Sequence, residues 1–354
     1  MQHLFSILLL EMVLSSCFSK KDSSFSQNGC GDTDKNVMIC VEELHSPDTL
    51  LVLMEDYPVE MDIYNDVLYV VMAKADTCIH LFDKRTGRLL NKLGTLGNGP
   101  GDVISPEFIR NNFEYKMLHN GMGMYDMNTV NQFIAYSADS LGSFEKISTD
   151  YLGWGSLNMN QEYLVGKHIG DNSSMFKICD LRTQSIVNVP LYPELPSSLL
   201  EKNKNKLWLI YSANVLCNLK EHTIYVSMHY FDMIQVYDLQ GKLQNVIVLN
   251  SDCKDSQKQI RKVLNRSDYI AYLQSYATSN FAYFRRALKD GATEHPLNNQ
   301  IVQVDWNGVV THIWEVGENM TSGFCVDQDK YLYCIKKGEV QNEEAFLILR
   351  YSLS

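Results

Sequence analysis

Short runs of apolar, aromatic and β-branched residues recur along the chain and are separated by turn sequences. The clearest example lies between Thr223 and Leu249, where three runs span Ile224 to Met228, Met233 to Tyr237 and Leu243 to Leu249. The segment Asp238-Leu239-Gln240-Gly241 joins the second run to the third. An Asp at the start of a turn can accept backbone N–H groups, and a Gly adopts a positive φ without steric cost. The pattern therefore predicts a small antiparallel sheet.

The same unit of strands and a turn recurs along the chain. A turn Asp lies at Asp83, Asp126, Asp180, Asp238 and Asp305, and a sixth unit follows the last of them. One such sheet cannot bury both of its faces, so repeated sheets that stack around an axis are expected. The prediction is an all-β fold, a six-bladed β-propeller with four-stranded antiparallel blades.

The chain ends are predicted to close this ring. The sixth unit stops after a third strand, Ala345 to Tyr351, whereas a blade normally has four. An amino-terminal strand, Val37 to Leu44 or Leu50 to Met54, can supply the missing strand and cover an edge that would otherwise be open to aggregation.

Two further segments are predicted to be strands, and a third is predicted to contain a helix. Tyr115 to Leu118 and Leu207 to Tyr211 are interpreted as strands because of their apolar residues. The longest interruption, Ser251 to Asn299, is expected to contain a helix from Asp255 to Leu264.

The amino terminus indicates the compartment. An apolar run begins at Leu4 and ends in Leu14-Ser15-Ser16-Cys17, the arrangement of a lipoprotein signal with its lipobox. We expect a signal at residues 1–17 with lipidation at Cys17, a polar flexible tether at 18–36 and the propeller at 37–354. The alternative is a short buried helix at the start of the domain.

Charge and cysteine content exclude some classes of function. The formal charge of -11 argues against a nucleic-acid partner, because phosphate backbones select clustered Lys and Arg. Of the nine cysteines, only Cys30 and Cys40 invite a disulfide, and those within strand patterns are expected to be buried thiols. No Cys-x-x-Cys pair, His-Glu-x-x-His or Gly-x-Ser-x-Gly motif is present, so no cofactor and no catalytic residue are predicted.

A rigid turn is predicted where the first unit meets the second. It consists of Gly97, Gly99, Pro100, Gly101 and Asp102, and Pro100 lacks the N–H group that a phosphate-binding loop needs. Together with the lipobox and the Phe82 to Gly87 turn, this motif resembles the TolB-like six-bladed β-propeller lipoproteins of Bacteroidetes. The resemblance implies a lipid-anchored protein of the bacterial cell envelope, in the outer membrane, and that family mostly lacks an assigned activity.

Candidate binding residues lie in the long interruption. Tyr276, Tyr283, Arg285 and Arg286 form an aromatic group flanked by Arg, which suits stacking on a sugar or peptide. The alternative is that these aromatic side chains pack the core of the insertion and of the fifth blade.

Two classes of function therefore remain at this stage, and a third depends on Cys17. The favoured hypothesis is a lipid-anchored propeller that binds a glycan, a peptide or an envelope protein without catalysis. The alternative is a metal-dependent lactonase-like or lyase-like enzyme with its site in the central channel of the propeller. Asp62, Asp66, Asp76 and Asp327 are the carboxylates available for it. A cytosolic signalling propeller would require that Cys17 is never lipidated.

Overall fold

The computed structural model shows an all-β β-propeller with four-stranded antiparallel blades. It describes residues 41–54, 57–73, 75–97, 102–126, 131–136, 140–146, 154–168, 170–249, 270–288, 298–317 and 320–353. The predicted signal, tether, Cys30–Cys40 pair and 255–264 helix lie outside the described residues, as do Gly99, Pro100 and Gly101.

The strands form six sheets, numbered here in chain order. Sheet I contains β3 (Pro58–Tyr64), β4 (Val67–Met72), β5 (Thr77–Asp83) and β6 (Leu89–Thr95). Sheet II contains β7 (Pro106–Phe108), β8 (Met122–Asp126), β9 (Asn131–Tyr136) and β10 (Ser140–Lys146). Sheet III contains β11 (Trp154–Met159), β12 (Tyr163–His168), β13 (Phe176–Asp180) and β14 (Ser185–Val189).

The second half of the chain continues in the same way. Sheet IV contains β15 (Ala213–Asn218), β16 (Thr223–Met228), β17 (Ile234–Asp238) and β18 (Leu243–Ile247). Sheet V contains β19 (Ile270–Ala277), β20 (Phe281–Leu288), β21 (Asn298–Asp305), β22 (Val310–Gly317) and β1 (Val41–Glu43). Sheet VI contains β23 (Met320–Asp327), β24 (Tyr331–Val340), β25 (Glu343–Ser352) and β2 (Asp48–Leu53).

The prediction of four-stranded antiparallel blades is confirmed, but the predicted number of six such blades is wrong, because five sheets have four strands and sheet V has five. There β1 adds as a fifth strand, parallel to β22, with Val41 opposite Ile313. The physical reason is that an outermost strand leaves backbone groups unpaired, and a passing segment of the chain can pair with them. In sheet VI, β2 pairs antiparallel with β25, with Asp48 opposite Arg350.

The inner strands of sheets I to VI are β3, β7, β11, β15, β19 and β23. Inner strands of consecutive sheets lie side by side. β3 contacts β7, β11 contacts β15, β15 contacts β19, β19 contacts β23, and β23 contacts β3. Between sheets II and III, the N–H of Arg110 donates to the carbonyl of Leu157 at 2.7 Å.

Polar side chains join the free edges of these inner strands. In five of the junctions, a side chain from one sheet bonds to the backbone of the next. The atom pairs are Glu60 Oε2 with Phe108 N (3.1 Å), Asn111 Oδ1 with Met159 N (2.9 Å), Asn158 Oδ1 with Cys217 N (2.9 Å), Asn214 Nδ2 with Tyr272 O (3.3 Å) and Gln274 Oε1 with Gly323 N (2.8 Å). Backbone groups of edge strands that would lack a partner are thereby satisfied.

Apolar side chains fill the space between neighbouring sheets. Tyr225 of sheet IV, for example, stacks on Trp306 of sheet V at 5.3 Å and meets Phe284 edge to face. Each fully buried side chain of this size contributes about 1.5–3 kcal/mol to folding. The core is therefore distributed around the ring of sheets and has no single centre.

Two segments that were predicted to be strands are helical. Residues 115–118 lie in α1 (Asn112–His119), and residues 207–210 form α3 (Leu207–Ile210), which follows α2 (Ser197–Asn203) and a 3₁₀ turn at Lys204–Lys206. In α3 the buried side chains are Leu207 and Ile210, three positions apart, which is the spacing of a helix face.

The described cysteines are free thiols in the core. They are Cys78, Cys179, Cys217, Cys325 and Cys334. The prediction of buried thiols is confirmed for the four of these that it named, Cys78, Cys179, Cys217 and Cys334. Within the described residues, no helix has the length and hydropathy needed to cross a membrane.

Candidate functional site

The two ends of the ring of inner strands differ in their chemistry. Neighbouring strands within each sheet alternate in direction, so a chain that passes through four strands returns to its starting direction. All six inner strands therefore begin at the same end of the ring of sheets. Helix α1 follows β7 and therefore lies at the end where the inner strands finish. Ser212 precedes β15 and lies at the opposite end, together with the turn that follows β16.

Asp62, near the end of β3, is the centre of the contacts made by α1. Its carboxylate accepts hydrogen bonds from Lys116 Nζ at 2.7 Å, Asn112 Nδ2 at 2.9 Å and the Tyr276 hydroxyl at 2.6 Å. The N–H of Ile63 also donates to it. Asp62 is buried, so this carboxylate is fully engaged by protein groups.

The other acidic side chains around α1 are engaged in a similar way. Glu114 Oε1 accepts the N–H groups of Leu219 and Lys220, and Glu60 binds the Arg110 guanidinium. Burial raises the pKa of Glu60, and the positive charge of Arg110 opposes that rise. These bonds tie α1 and its surroundings to sheets I, II and IV.

The carboxylates considered for a metal do not converge. Asp66 is exposed and pairs with Arg85, Asp76 is exposed, and Asp327 pairs with Lys84 at 2.9 Å. Asp62 is engaged by Lys116, as described above. In the part of the chain that the structure describes, no group of three His, Cys, Asp or Glu side chains is placed to hold a metal ion.

The four predicted binding residues divide between the two ends. Three of them reach an adjacent sheet, and Tyr276 reaches sheet I, which does not adjoin sheet V. At the α1 end, the Tyr276 hydroxyl binds Asp62 and the Tyr283 hydroxyl binds Asp329 at 2.9 Å. At the other end, Arg286 forms a buried ion pair with Asp232, and Arg285 donates to the carbonyls of Met320 and Thr321.

The structure does not bring these four side chains into one aromatic and basic surface. Tyr283, Arg285 and Arg286 are buried, and Tyr276 is half-buried. Burial raises the pKa of Tyr276, and so does the neighbouring carboxylate of Asp62. A binding role for these residues stays a prediction, while their contacts between sheets are established.

Two members of the predicted rigid turn are described. An isolated parallel bridge joins Leu96 to Val103, and the N–H of Gly97 donates to the carbonyl of Val103 at 3.2 Å. A Cβ atom on Gly97 would lie 2.5 Å from Asp102 Oδ2, so Gly97 and Asp102 pack closely in this turn.

A second group of polar residues, which we call the junction cluster, lies where sheets III and IV meet. It consists of Lys167, Asn172, Trp208, Ser212 and His229. Lys167 Nζ donates to the carbonyl of Tyr211, Asn172 Oδ1 accepts the N–H of Trp208 at 3.0 Å, and the Ser212 hydroxyl lies 2.8 Å from His229 Nδ1.

The junction cluster is partly open to solvent. Lys167, Ser212 and His229 are half-buried, and Trp208 is 37% exposed beside the equally exposed Leu209. An indole with this exposure on a folded surface is suited to contact a ligand. The backbone N–H of His229 donates to the carbonyl of Ser212 at 2.8 Å, which fixes the positions of both residues.

The pKa values of His229 and Lys167 are both lower than those of exposed groups of the same type. Burial lowers the pKa of His229 to about 4, helped by the positive charge of Lys167, so the imidazole is neutral at pH 7. Burial also lowers the pKa of Lys167 to about 8, which the carboxylate of Asp171 opposes. At pH 7 the cluster therefore combines a neutral imidazole with a mostly protonated lysine.

The hydrogen-bond geometry indicates which atoms remain available to a ligand. His229 Nε2 is buried and has no hydrogen-bond partner among the described residues. Because an orphaned N–H is rarer than an unpaired acceptor, we assign the proton to Nδ1, which then donates to Ser212. In that arrangement the Ser212 hydroxyl keeps its own proton for an outside acceptor.

The sequence contains a helical pattern from which the position of Trp208 in this cluster could be predicted. Leu199, Leu200, Leu207 and Ile210 recur at helical spacing between Ser197 and Tyr211, with exposed Lys side chains between them. That pattern predicts a helical insertion before β15, with Trp208 and Leu209 on its outer side. Ser212 precedes β15 and His229 follows the adjacent β16, so their contact joins two strand ends, and no local motif in the sequence predicts it.

Comparisons with known proteins concern the fold. No family model and no curated protein matches the sequence. Among solved structures, a member of the DUF4221 family from Bacteroides vulgatus has 12% identity and a TM-score of 0.52, covering 93% of this chain and 99% of that chain.

Two other solved structures have lower TM-scores. A Bacteroides fragilis protein described as exported has 14% identity and a TM-score of 0.47, covering 88% of this chain and 94% of that chain. Virginiamycin B lyase from Staphylococcus aureus has 9% identity and a TM-score of 0.43, covering 84% of this chain and 97% of that chain. The chain is thus similar in overall fold to the DUF4221 protein.

Proposed function

We propose that the protein is a non-enzymatic binding module of the cell envelope and that the junction cluster is its ligand-binding surface. The observation that carries this proposal is the combination of an exposed Trp208 with the half-buried Lys167, Ser212 and His229. Such a surface offers one aromatic face and a few fixed polar groups, the usual composition of a small ligand site.

The state of the carboxylates at the α1 end favours binding over metal-dependent catalysis. Asp62, Glu60 and Glu114 each accept hydrogen bonds from protein donors. A catalytic metal would have to displace those donors, and the nearly buried Lys116 would lose its counter-ion. The lactonase-like or lyase-like alternative therefore needs a rearrangement that the binding proposal does not.

We also propose that all six sheets are blades of one closed ring, with the extra strand β1 on the outside of sheet V. The contacts between successive inner strands and the pairing of β2 with β25 support this arrangement. The finer assignment to the TolB-like lipoproteins is part of the proposal, and it is supported by the lipobox, the Phe82 to Gly87 turn and Gly97 to Asp102.

Lipidation at Cys17 is proposed from the sequence. β1 runs parallel to β22 and opposite to the inner strands, so Val41, the first described residue, lies at the α1 end. Palmitate labelling of the wild type against Cys17→Ser tests the anchor.

The binding proposal is tested by screening the purified full-length protein on a mixed array of glycans and peptides. We expect at least one class to bind, and Trp208→Ala to abolish that binding. Leu89→Ala, which truncates a similarly exposed apolar side chain on β6, is the matched control and should bind normally. Binding that survives Trp208→Ala and Ser212→Ala would contradict the proposal.

The enzymatic alternative has its own test. Thermal unfolding is measured with and without millimolar calcium, because a ligand that binds only the folded state raises the melting temperature. A large rise that disappears in Asp62→Asn would favour the channel-metal enzyme. A melting temperature that calcium leaves unchanged agrees with the binding module.

A further inference from the structure

We propose that the ligand of the junction cluster is an acidic saccharide, that is, a sugar ring carrying a carboxylate or a sulfate. This inference rests on the proposed function, because it names the ligand class of the same surface. It is carried by the hydrogen-bond donors of the cluster that no described residue uses, by its local charge and by the exposed indole of Trp208.

The donors come from Ser212 and Lys167. Ser212 accepts from His229 Nδ1 in the tautomer assigned above, so its hydroxyl proton is available to an oxygen of the ligand. Lys167 uses one of its three donors on the carbonyl of Tyr211, the residue before Ser212. Both side chains are held in place by protein contacts, which lowers the entropy cost of binding.

The local charge is positive although the whole chain is acidic. Asp171 is the carboxylate nearest in sequence to Lys167, and it lies 3.2 Å from Lys177 Nζ. Hydrogen bonds from Ser173 and Ser174, together with Lys177, lower the pKa of Asp171 against the opposing effect of burial. Since Lys177 compensates Asp171 and His229 is neutral, the charge of Lys167 remains for an anionic group.

The apolar part of the surface fits a sugar better than an extended peptide. Trp208 and Leu209 are the exposed large apolar side chains of α3, and each is 37% exposed. A single aromatic platform next to a few polar donors matches a sugar ring, whose faces are apolar and whose edge carries hydroxyl groups. Asn172 holds the backbone of Trp208 and thereby connects the platform to sheet III.

The charge of Lys167 gives the interaction a distinctive dependence on pH. The groups that face it are Asp171 and His229, and its pKa is lowered to about 8 by burial. Binding of an acidic saccharide should therefore weaken as the pH rises through about 8, where Lys167 loses its proton. An exposed lysine would keep its charge to about pH 10.

The experiment is calorimetric titration of the full-length protein with four probes: oligogalacturonate, a heparin oligosaccharide, neutral dextran and poly-glutamate. We expect oligogalacturonate or the heparin oligosaccharide to bind at least about 10-fold more tightly than dextran, a difference of 1.4 kcal/mol. The probe that binds identifies carboxylate or sulfate as the anionic group. Lys167→Gln, Ser212→Ala and Trp208→Ala should each weaken that binding about 10-fold or more. Lys220→Gln, an exposed lysine near α1, is the control and should have no effect.

The outcomes separate this inference from the proposed function. If dextran or another neutral glycan binds as well as the acidic probes and is lost in Trp208→Ala, the ligand class is wrong but the binding surface stands. Preferential binding of poly-glutamate would likewise overturn the saccharide and keep the surface. If the acidic probes bind and all three cluster variants bind equally well, or if none of the four probes binds, this inference is wrong.

Discussion

The α1 end and the junction cluster contain similar types of side chain in opposite situations. At the α1 end, Asp62 and Lys116 are nearly buried, and their partners belong to the protein. In the junction cluster, Lys167 and Ser212 are half-buried, and each keeps donors that no described residue uses. The first arrangement stabilises the fold, whereas the second leaves hydrogen-bonding capacity for a ligand.

This difference follows from what each end must do in a ring of sheets. The inner strands finish at the α1 end with free backbone edges, and polar side chains from α1 and its neighbours satisfy them. At the junction end, an insertion that includes α2 and α3 packs Leu207 and Ile210 inward and leaves Trp208 outside. A buried charge is therefore weak evidence for function here, and a half-buried polar group beside an exposed aromatic is stronger evidence.

The largest loss of unfolding free energy is predicted for a substitution of Asp62. Asp62→Ala removes the carboxylate that Lys116 and Tyr276 bind and leaves Lys116 the carbonyl of Ile63, and breaking a buried ion pair costs about 3–5 kcal/mol of unfolding free energy. Urea denaturation measures the loss. Asp66→Ala removes an exposed pair with Arg85 and should cost less than about 1 kcal/mol. Equal losses for the two variants would mean that Asp62 does not organise the α1 end.

The packing of α1 predicts a second, smaller loss. A Cβ atom on Gly123 would lie 2.4 Å from the ring of Tyr115, which is buried. Gly123→Ala should therefore lower the unfolding free energy by about 1–3 kcal/mol, as overpacking does. Gly338→Ala is the control, because its Cβ would meet only the flexible end of Leu347 at 3.2 Å. A neutral Gly123→Ala would show that Tyr115 does not hold α1 against β8.

The junction cluster predicts an effect of pH on stability through His229. His229 has a folded-state pKa of about 4, below the ordinary value of about 6.5, so the unfolded chain binds more protons between these values. Stability should therefore rise from pH 4 to 6.5, with the contribution complete above 6.5. Melting temperatures of the wild type and His229→Asn across this range measure it, and the variant should show a shallower rise. Identical slopes would place His229 in an ordinary solvated environment.

The smallest effects on stability are expected for substitutions in the junction cluster, which should have the largest effects on ligand binding. Trp208→Ala and Ser212→Ala alter a partly exposed surface, so each should change the unfolding free energy by no more than about 0.5–1 kcal/mol. The same denaturation experiment provides the check. A loss comparable with that of Asp62→Ala would assign the junction cluster a structural role and remove the contrast between the two regions.

The second and third strands of the sheets could be predicted from the sequence more easily than the inner strands. Asp turns and β-branched runs identified the second and third strands of most sheets, because those strands are buried on both faces and have strong local patterns. The inner strand β3 was missed, since Glu60 and Asp62 interrupt its apolar pattern to reach neighbouring elements. β11 was missed for a similar reason, as Asn158 serves the backbone of sheet IV.

The candidate site was harder to predict because it joins distant parts of the chain. Arg285 and Arg286 stood out in the sequence as a basic pair beside aromatic residues, yet they are buried in contacts between sheets. Lys167 and His229 carry no motif and meet only after sheets III and IV pack together. Composition can indicate a binding fold, but contacts across a sheet junction depend on tertiary packing.

The most direct test of the contrast between the two regions is hydrogen–deuterium exchange of the full-length protein with and without the acidic saccharide that binds it. The account predicts slower exchange at residues 167–172, 206–212 and 229–232, and unchanged exchange at 112–120. Protection confined to 112–120, or no protection at the junction cluster at saturating ligand, would contradict it.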